Sequence, residues 1–343
     1  MPRRFLTLLA LMVCSTAAPA DDDPATVRHD YIPVPGTDVA IPVSTVTGQP
    51  GGPVLALIAG THGYEYAPIL ALHRVLERPE LGYLTGTLVI VHIANPSSFF
   101  GRTIYFNPAD GMNLNRAYPG DPDGSESQRI AHAITIEVIE KADYVIDLHA
   151  GDGNEDLRPF TYMPEVGDDQ LDQRSRGLAV AFGLDHIVID RARLPDPEAS
   201  RFTDHTALVR GIPAVTTETG ALGSTSETWV RMAEEGVINV MRHLDMLPGD
   251  AEMRDDIVWL EDYEVVTSPA QGLFQAEVKG GYVIAENGRL GVLVNEFGAE
   301  LAVVRAPFAG VVNYVIATPP VSIGEPIAMI SRVARNQGVR ITD

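Results

Sequence analysis

Between residues 54 and 245, short apolar runs alternate with stretches of helical period, and three of those runs end on a residue able to bind metal or move a proton. Strands are expected over Val54–Ala59, Thr87–Ile93, Tyr144–Leu148, His186–Ile189 and Ala214–Thr217. Helices are expected over Tyr66–Leu76, Ser125–Glu140, Gln170–Phe182 and Asp204–Val209. Such alternation demands a mostly parallel sheet covered on both faces, so the fold class is α/β. In sheets of this kind, sites form at the carboxyl ends of the strands. Beyond about residue 250 the texture changes to short β-like runs punctuated by Gly, Pro and Asn, which predicts a small all-β domain.

The first twenty residues stand apart. Arg3 and Arg4 precede a ten-residue apolar run from Phe5 to Cys14, and Ala18-Pro19-Ala20 offers a cleavage site before Asp21-Asp22-Asp23. This is the pattern of a secretory signal peptide, too short for a stable membrane anchor. The expected division is residues 1–20 signal peptide, 21–250 hydrolase domain and 251–343 β domain, with the mature protein periplasmic or secreted. Cleavage also removes Cys14, the only cysteine, which leaves no thiol for a disulfide or a nucleophile. The net charge of −21 argues against nucleic acid as a partner. No later run is apolar and long enough to span a bilayer.

The chemistry-bearing segments are the strand ends. Leu57-Ile58-Ala59-Gly60-Thr61-His62-Gly63-Tyr64-Glu65 delivers an imidazole and a carboxylate three residues apart. Tyr144-Val145-Ile146-Asp147-Leu148-His149 delivers a second imidazole. Two histidines and one glutamate, with a coordination position left for water, form the ligand set of catalytic zinc sites. A third strand ends at Glu218, and a carboxylate there can take a proton from a water and hand it to a leaving amine. Arg102, Asn115 and Arg116 lie in polar loops, and arginines suit an oxyanion or a substrate carboxylate. Taken singly, each of these residues also fits an ordinary strand cap or solvated loop. Asp147, two residues before His149, shares its face and either orients it or caps the strand.

Together the motifs H-G-x-E, N-P-x-x-F followed by R, N-L-N-R, D-L-H-x-G and T-x-E-x-G make the chain resemble the succinylglutamate desuccinylase/aspartoacylase family of the zinc carboxypeptidase superfamily, over roughly residues 50 to 245. The resemblance implies a three-layer α/β/α sandwich with one zinc ion on His62, Glu65 and His149. It implies Glu218 as general base, Arg102 as the group polarising the scissile carbonyl, and Asn115 and Arg116 as binders of a substrate carboxylate. The implied activity is cleavage of the amide of a small N-acyl amino acid. Two other readings share these residues: a periplasmic metallocarboxypeptidase acting on peptides or cell-wall fragments, and a zinc- or ligand-binding protein without turnover. Many relatives carry Asp where this chain has Asn113, which puts the partner of a ligand histidine in question. Tyr64, inside the H-G-x-E motif, either narrows the pocket or is incidental. Residues Glu300–Val312 resemble a biotinyl/lipoyl-carrier β fold, but the turn 295–300 has no lysine to modify. Assembly into a homo-oligomer stays open.

Overall fold

The computed structural model describes residues 25–334, apart from 192–195 and 198–199. The expected signal peptide and its cleavage site lie outside the described residues. Within them, no helix is long and apolar enough to cross a membrane.

The centre of the molecule is a parallel set of strands: β3 (Gln49–Ala59), β4 (Thr85–Val91), β5 (Tyr144–His149) and β9 (Ala214–Glu218). An N-terminal antiparallel pair, β1 (Thr26–Pro33) and β2 (Ala40–Thr47), extends one side through β4. On the other side β7 (Phe160–Pro164) runs antiparallel to β9 and parallel to β8 (His186–Asp190). The strands are reinforced by α1 (Tyr66–Leu76), α2 (Pro96–Gly101), α3 (Glu126–Glu137), α4 (Asp169–Phe182), α5 (Thr203–Leu208) and α6 (Glu227–His243).

Why β3 reads as an unbroken apolar run is visible in its two faces. Leu55, Leu57 and Ala59 pack into the layer that holds Ile69 and Leu72 of α1, Leu178 of α4 and Val237 of α6. Ala56 and Ile58 pack into the opposite layer, with Ile130 and Ile134 of α3 and Ala207 of α5. Successive side chains of a strand point to opposite faces, so a strand covered on both must be apolar at every position. The result is the expected three-layer sandwich. Ser125 caps α3 through a capping box with Gln128, as its sequence position predicts.

The C-terminal region is woven into this frame. β10 (Val258–Thr267) pairs in parallel with β8, and the large sheet continues through β17 (Pro326–Val333) to β15 (Gly310–Ile316) and β12 (Val283–Ile284). The short strand β6 (Glu155–Leu157) pairs with β15 from the catalytic half. A separate antiparallel sheet orders β14 (Glu300–Arg305), β13 (Arg289–Val294), β11 (Gly272–Ala276) and β16 (Pro320–Val321). The β13–β14 turn falls at 295–299, where Asn295 accepts from the backbone of Phe297 and Ala299. The second sheet is therefore distinct, yet the large sheet runs through the expected boundary near residue 250.

Candidate metal centre and active site

Parallel register places the ends of β3, β5 and β9 side by side: Ala59 opposite Leu148, and His149 opposite Glu218. Just past β3, Gly60 turns the chain with φ +71, and a Cβ there would lie 2.8 Å from Ile93 Cα. Gly63 is needed for a different reason. A Cβ on it would sit 2.3 Å from the Thr103 carbonyl oxygen and 2.5 Å from that of Ser98, so only glycine lets the loop lie against the end of α2. The loop returns His62 to Glu65 at the N-cap of α1.

His62, Glu65 and His149 are buried, and a donor atom from each lies within 4.8 Å of the other two. Both imidazoles face Glu65 with Nδ1: His62 Nδ1 is 2.8 Å and His149 Nδ1 2.9 Å from Glu65 Oε1. The far nitrogens are held from behind. His62 Nε2 is 3.1 Å from Asn113 Oδ1, and His149 Nε2 is 3.0 Å from Asp147 Oδ2. If Nε2 carries the proton on each ring, Nδ1 is left as a lone pair aimed at the common centre, which is how ligating histidines are oriented. Asn113 thus takes the place its sequence position put in question, as a neutral acceptor, and Asp147 is an orienting group.

Charge supports a cation here. Burial works to raise the Glu65 carboxyl, but the imidazoles of His149 and His62 outweigh it and bring it down to about 2. Burial likewise works to lower His149, yet Asp147 and Glu65 hold its pKa well above the ordinary imidazole value. Glu218 is pushed well above the carboxylate range, by burial first, with His149 pulling it back and Glu65 and Glu155 adding to the rise. Its Oε2 has no hydrogen-bond partner among the described residues. A divalent cation beside Glu218 favours its ionised form and replaces protons on the ligand imidazoles. The donor set, its backing acceptors and this orphaned oxygen all fit a metal ion.

These groups open into a cavity of about 710 Å³. Its floor is the His62–Glu65–His149 cluster with Glu218, and Arg116 and Asn115 stand on one wall. Arg116 rests over the Phe202 ring, 4.5 Å to the centroid, and donates to the Asn115 carbonyl at 2.6 Å. The Asn115 side chain is anchored by its oxygen: Oδ1 accepts from the Thr203 amide at 3.1 Å. The C-terminal region also contributes to the lining, through Tyr314, Met329 and residues 322–326.

Two residues that the sequence singled out stand outside the cavity lining. Arg102 does not line the cavity. It ends α2 in the left-handed conformation, φ +53, with its side chain exposed. Tyr105, three residues on, occupies the cavity wall instead. Tyr64 is also outside the lining; its ring covers Gly153 and Gly223, each of which would bring a Cβ to 3.1 Å from that ring. Sequence reading missed Tyr105, Asp152 and Glu155. Glu155 lines the cavity half-buried, its carboxyl raised to about 7 by desolvation, against the hydrogen bond from Tyr105. The available signal was the polar turn Gly151-Asp152-Gly153-Asn154-Glu155 directly behind the ligand strand.

An α/β sandwich with this cluster at its strand ends and a buried carboxyl group on the neighbouring strand is the framework of an amide-bond hydrolase of the deacylase type. Residues 51–244 match the model of the succinylglutamate desuccinylase/aspartoacylase catalytic domain. The chain belongs to that family. It is 30% identical to the N-alpha-acetyl-L-2,4-diaminobutyric acid deacetylase of Halomonas elongata, over 94% of this chain and 96% of that one. The product-bound ectoine utilization protein EutE (DoeB) of Ruegeria pomeroyi superposes with a TM-score of 0.80 at 26% identity, covering 91% of this chain and 97% of that one. An aspartoacylase family protein of Mesorhizobium loti gives 0.75 at 26% identity, covering 92% and 97%.

Proposed function

We propose that this protein is a zinc-dependent deacylase that hydrolyses the amide of a small N-acyl amino acid. The observation that carries the reading is the meeting of His62, Glu65 and His149 with Glu218 across the β5–β9 pair, on the floor of one cavity. His62 and His149 would hold zinc through Nδ1, and Glu65 through its carboxylate. Zinc bound there acidifies a water and polarises a carbonyl. Glu218 takes the proton of the attacking water and delivers it to the departing amine nitrogen. Arg116 pairs with the substrate carboxylate and sets the amide over the floor.

The small-molecule reading is favoured over the carboxypeptidase one by the likeness of nearly the whole chain to the Halomonas deacetylase. An Nα-acetylated diamino acid, the substrate named for the Halomonas relative, supplies one amide and one carboxylate and is the first candidate. Every position the chemistry needs is occupied, which supports turnover over mere binding. We also propose export, on the strength of the N-terminal pattern; cell fractionation that finds the protein in the cytoplasm with residues 1–20 intact would overturn it.

The deciding experiment incubates the mature protein with N-acetyldiaminobutyrate, N-succinylglutamate, N-acetylaspartate and short peptides, with and without chelator, and identifies products by mass spectrometry. Release of a free acyl acid, abolished by chelator and restored by zinc, supports the reading. Release of C-terminal amino acids from peptides instead overturns it in favour of the carboxypeptidase.

A further inference from the structure

Amide hydrolysis builds negative charge on the carbonyl oxygen, and a donor fixed beside that oxygen is among the largest contributions a protein can make. We propose that Tyr105 is this donor, its phenol hydroxyl polarising the scissile carbonyl, with Asn154 and Glu155 positioning it. The inference rests on the deacylase reading above.

Tyr105 lines the cavity together with the metal-ligand cluster, its ring edge-on to His62 with centroids 5.8 Å apart and planes at 89°. The arginines do not compete for the role. Arg102 lies outside the cavity lining, and Arg116 stacks on Phe202 while donating to the Asn115 carbonyl.

The residue is held with unusual firmness. Its φ is +59, a region that side-chain-bearing residues rarely enter. The turn is closed by Phe106 N donating to the Ile104 carbonyl at 2.7 Å, and Tyr105 N donates to Asp152 Oδ2 at 3.0 Å. Such strain persists only where the surroundings over-determine it, and it gathers at functional sites. The hydroxyl lies 2.8 Å from Asn154 Oδ1 and 2.8 Å from Glu155 Oε1.

That hydroxyl has one proton for two acceptors. With Asn154, or Glu155 in its acid form, as the partner the existing bond is neutral, so turning the proton toward an incoming oxyanion exchanges it for a stronger charge-assisted one. Glu155 in its acid form can donate to the phenol oxygen in turn, which leaves the phenol proton for the substrate. β6 fixes Glu155 against β15, so the positioning group is itself anchored on a sheet.

The test uses the zinc-loaded protein and its best substrate. Tyr105→Phe should lower kcat about 100-fold, in line with loss of one oxyanion donor, with KM and bound zinc little changed. It should weaken a tetrahedral phosphinate analogue by a similar factor and leave inhibition by the product amino acid unmoved, a split that a purely structural role does not give. A kcat within twofold of wild type overturns the proposal. Should that variant not fold, Asn154→Ala and Glu155→Gln keep the phenol but loosen it. Each should lower kcat about tenfold, the size of a misplaced donor rather than a lost one, and unchanged kcat in both overturns the proposal. Wild-type protein that binds zinc yet cleaves nothing fails the deacylase reading and takes this inference with it. Wild-type turnover with an undiminished Tyr105→Phe variant sinks Tyr105 alone.

Discussion

His149 Nε2 lies 3.0 Å from Asp147 Oδ2, two residues back on the same strand and on the same face. Residues i and i+2 of a strand share a side, so the backbone itself delivers the carboxylate behind the ring. With the proton on Nε2, Asp147 Oδ2 accepts its hydrogen bond, and Nδ1 is turned toward the centre shared with Glu65. Asp147→Asn should keep the fold and weaken zinc about 10- to 100-fold, as loss of such a backing group does. Competition against a chromophoric chelator measures it, and unchanged affinity would show that Asp147 is only a buried strand residue.

Glu218→Gln preserves shape and removes the base. Zinc content should stay at the wild-type level while kcat falls about 10²- to 10⁴-fold, the range of general acid–base catalysis. Metal analysis beside steady-state kinetics checks both halves. Full turnover in this variant would remove Glu218 from the mechanism.

Glu155 couples stability to pH. Its carboxyl is raised to about 7 in the folded protein, burial being the cause, against an ordinary value of 4.5. The folded state therefore holds this proton more tightly than the unfolded chain. Below about pH 4.5 both states are protonated and the group costs nothing. As pH rises from about 4.5 to 7, the unfolded chain gives up this proton while the folded one still holds it, so stability is lost across that window and the loss is complete above about 7. Glu155→Gln should unfold at higher urea than wild type at pH 8, with a gain of up to about 3.5 kcal/mol, because a tenfold difference in proton affinity between the two states is worth about 1.4 kcal/mol. At pH 4.5 the two proteins should differ little. Urea titrations of the chelator-treated protein at the two pH values decide it; equal differences at both would refute the linkage.

Gly63→Ala tests the loop that carries His62 and Glu65. A Cβ 2.3 Å from the Thr103 carbonyl oxygen meets backbone, which has no easy way to yield. The variant should lose about 1–3 kcal/mol, the cost of overpacking, and bind zinc more weakly because both loop ligands shift. Thermal unfolding and zinc titration report the two effects, and wild-type behaviour in both would show that the loop can move away.

Much of the fold was legible because burial on both faces leaves a strong mark. β3 is an unbroken apolar run over Val54–Ala59, β5 carries Val145, Ile146 and Leu148 into the core, and α1 repeats buried residues at Ile69, Leu72 and Val75. The bounds of α1 and β5 match the sequence reading to within one residue, while β3 begins five residues before the expected Val54. β1 was not legible, since nearly all its residues are exposed and no apolar alternation marks it. Nor was α6, whose buried face mixes Ala233, Glu234 and Gly236 with Val237 and Val240, so its apolar period is diluted.

By itself the sequence determined the strand ends, and with them the placement of His149 and Glu218, because a strand's last residue is placed by the sheet that buries the rest; His62 and Glu65 follow in the short turn between β3 and α1. Tertiary structure decided what irregular backbone presents. Between α2 and Asn113 the chain has no period to read, and two left-handed residues, Arg102 at φ +53 and Tyr105 at φ +59, settle which side chain reaches the cavity. The arginine turns outward and the tyrosine inward. The partners that hold that tyrosine arrive from a strand paired to the far C-terminal region, a contact that no local pattern in either segment encodes.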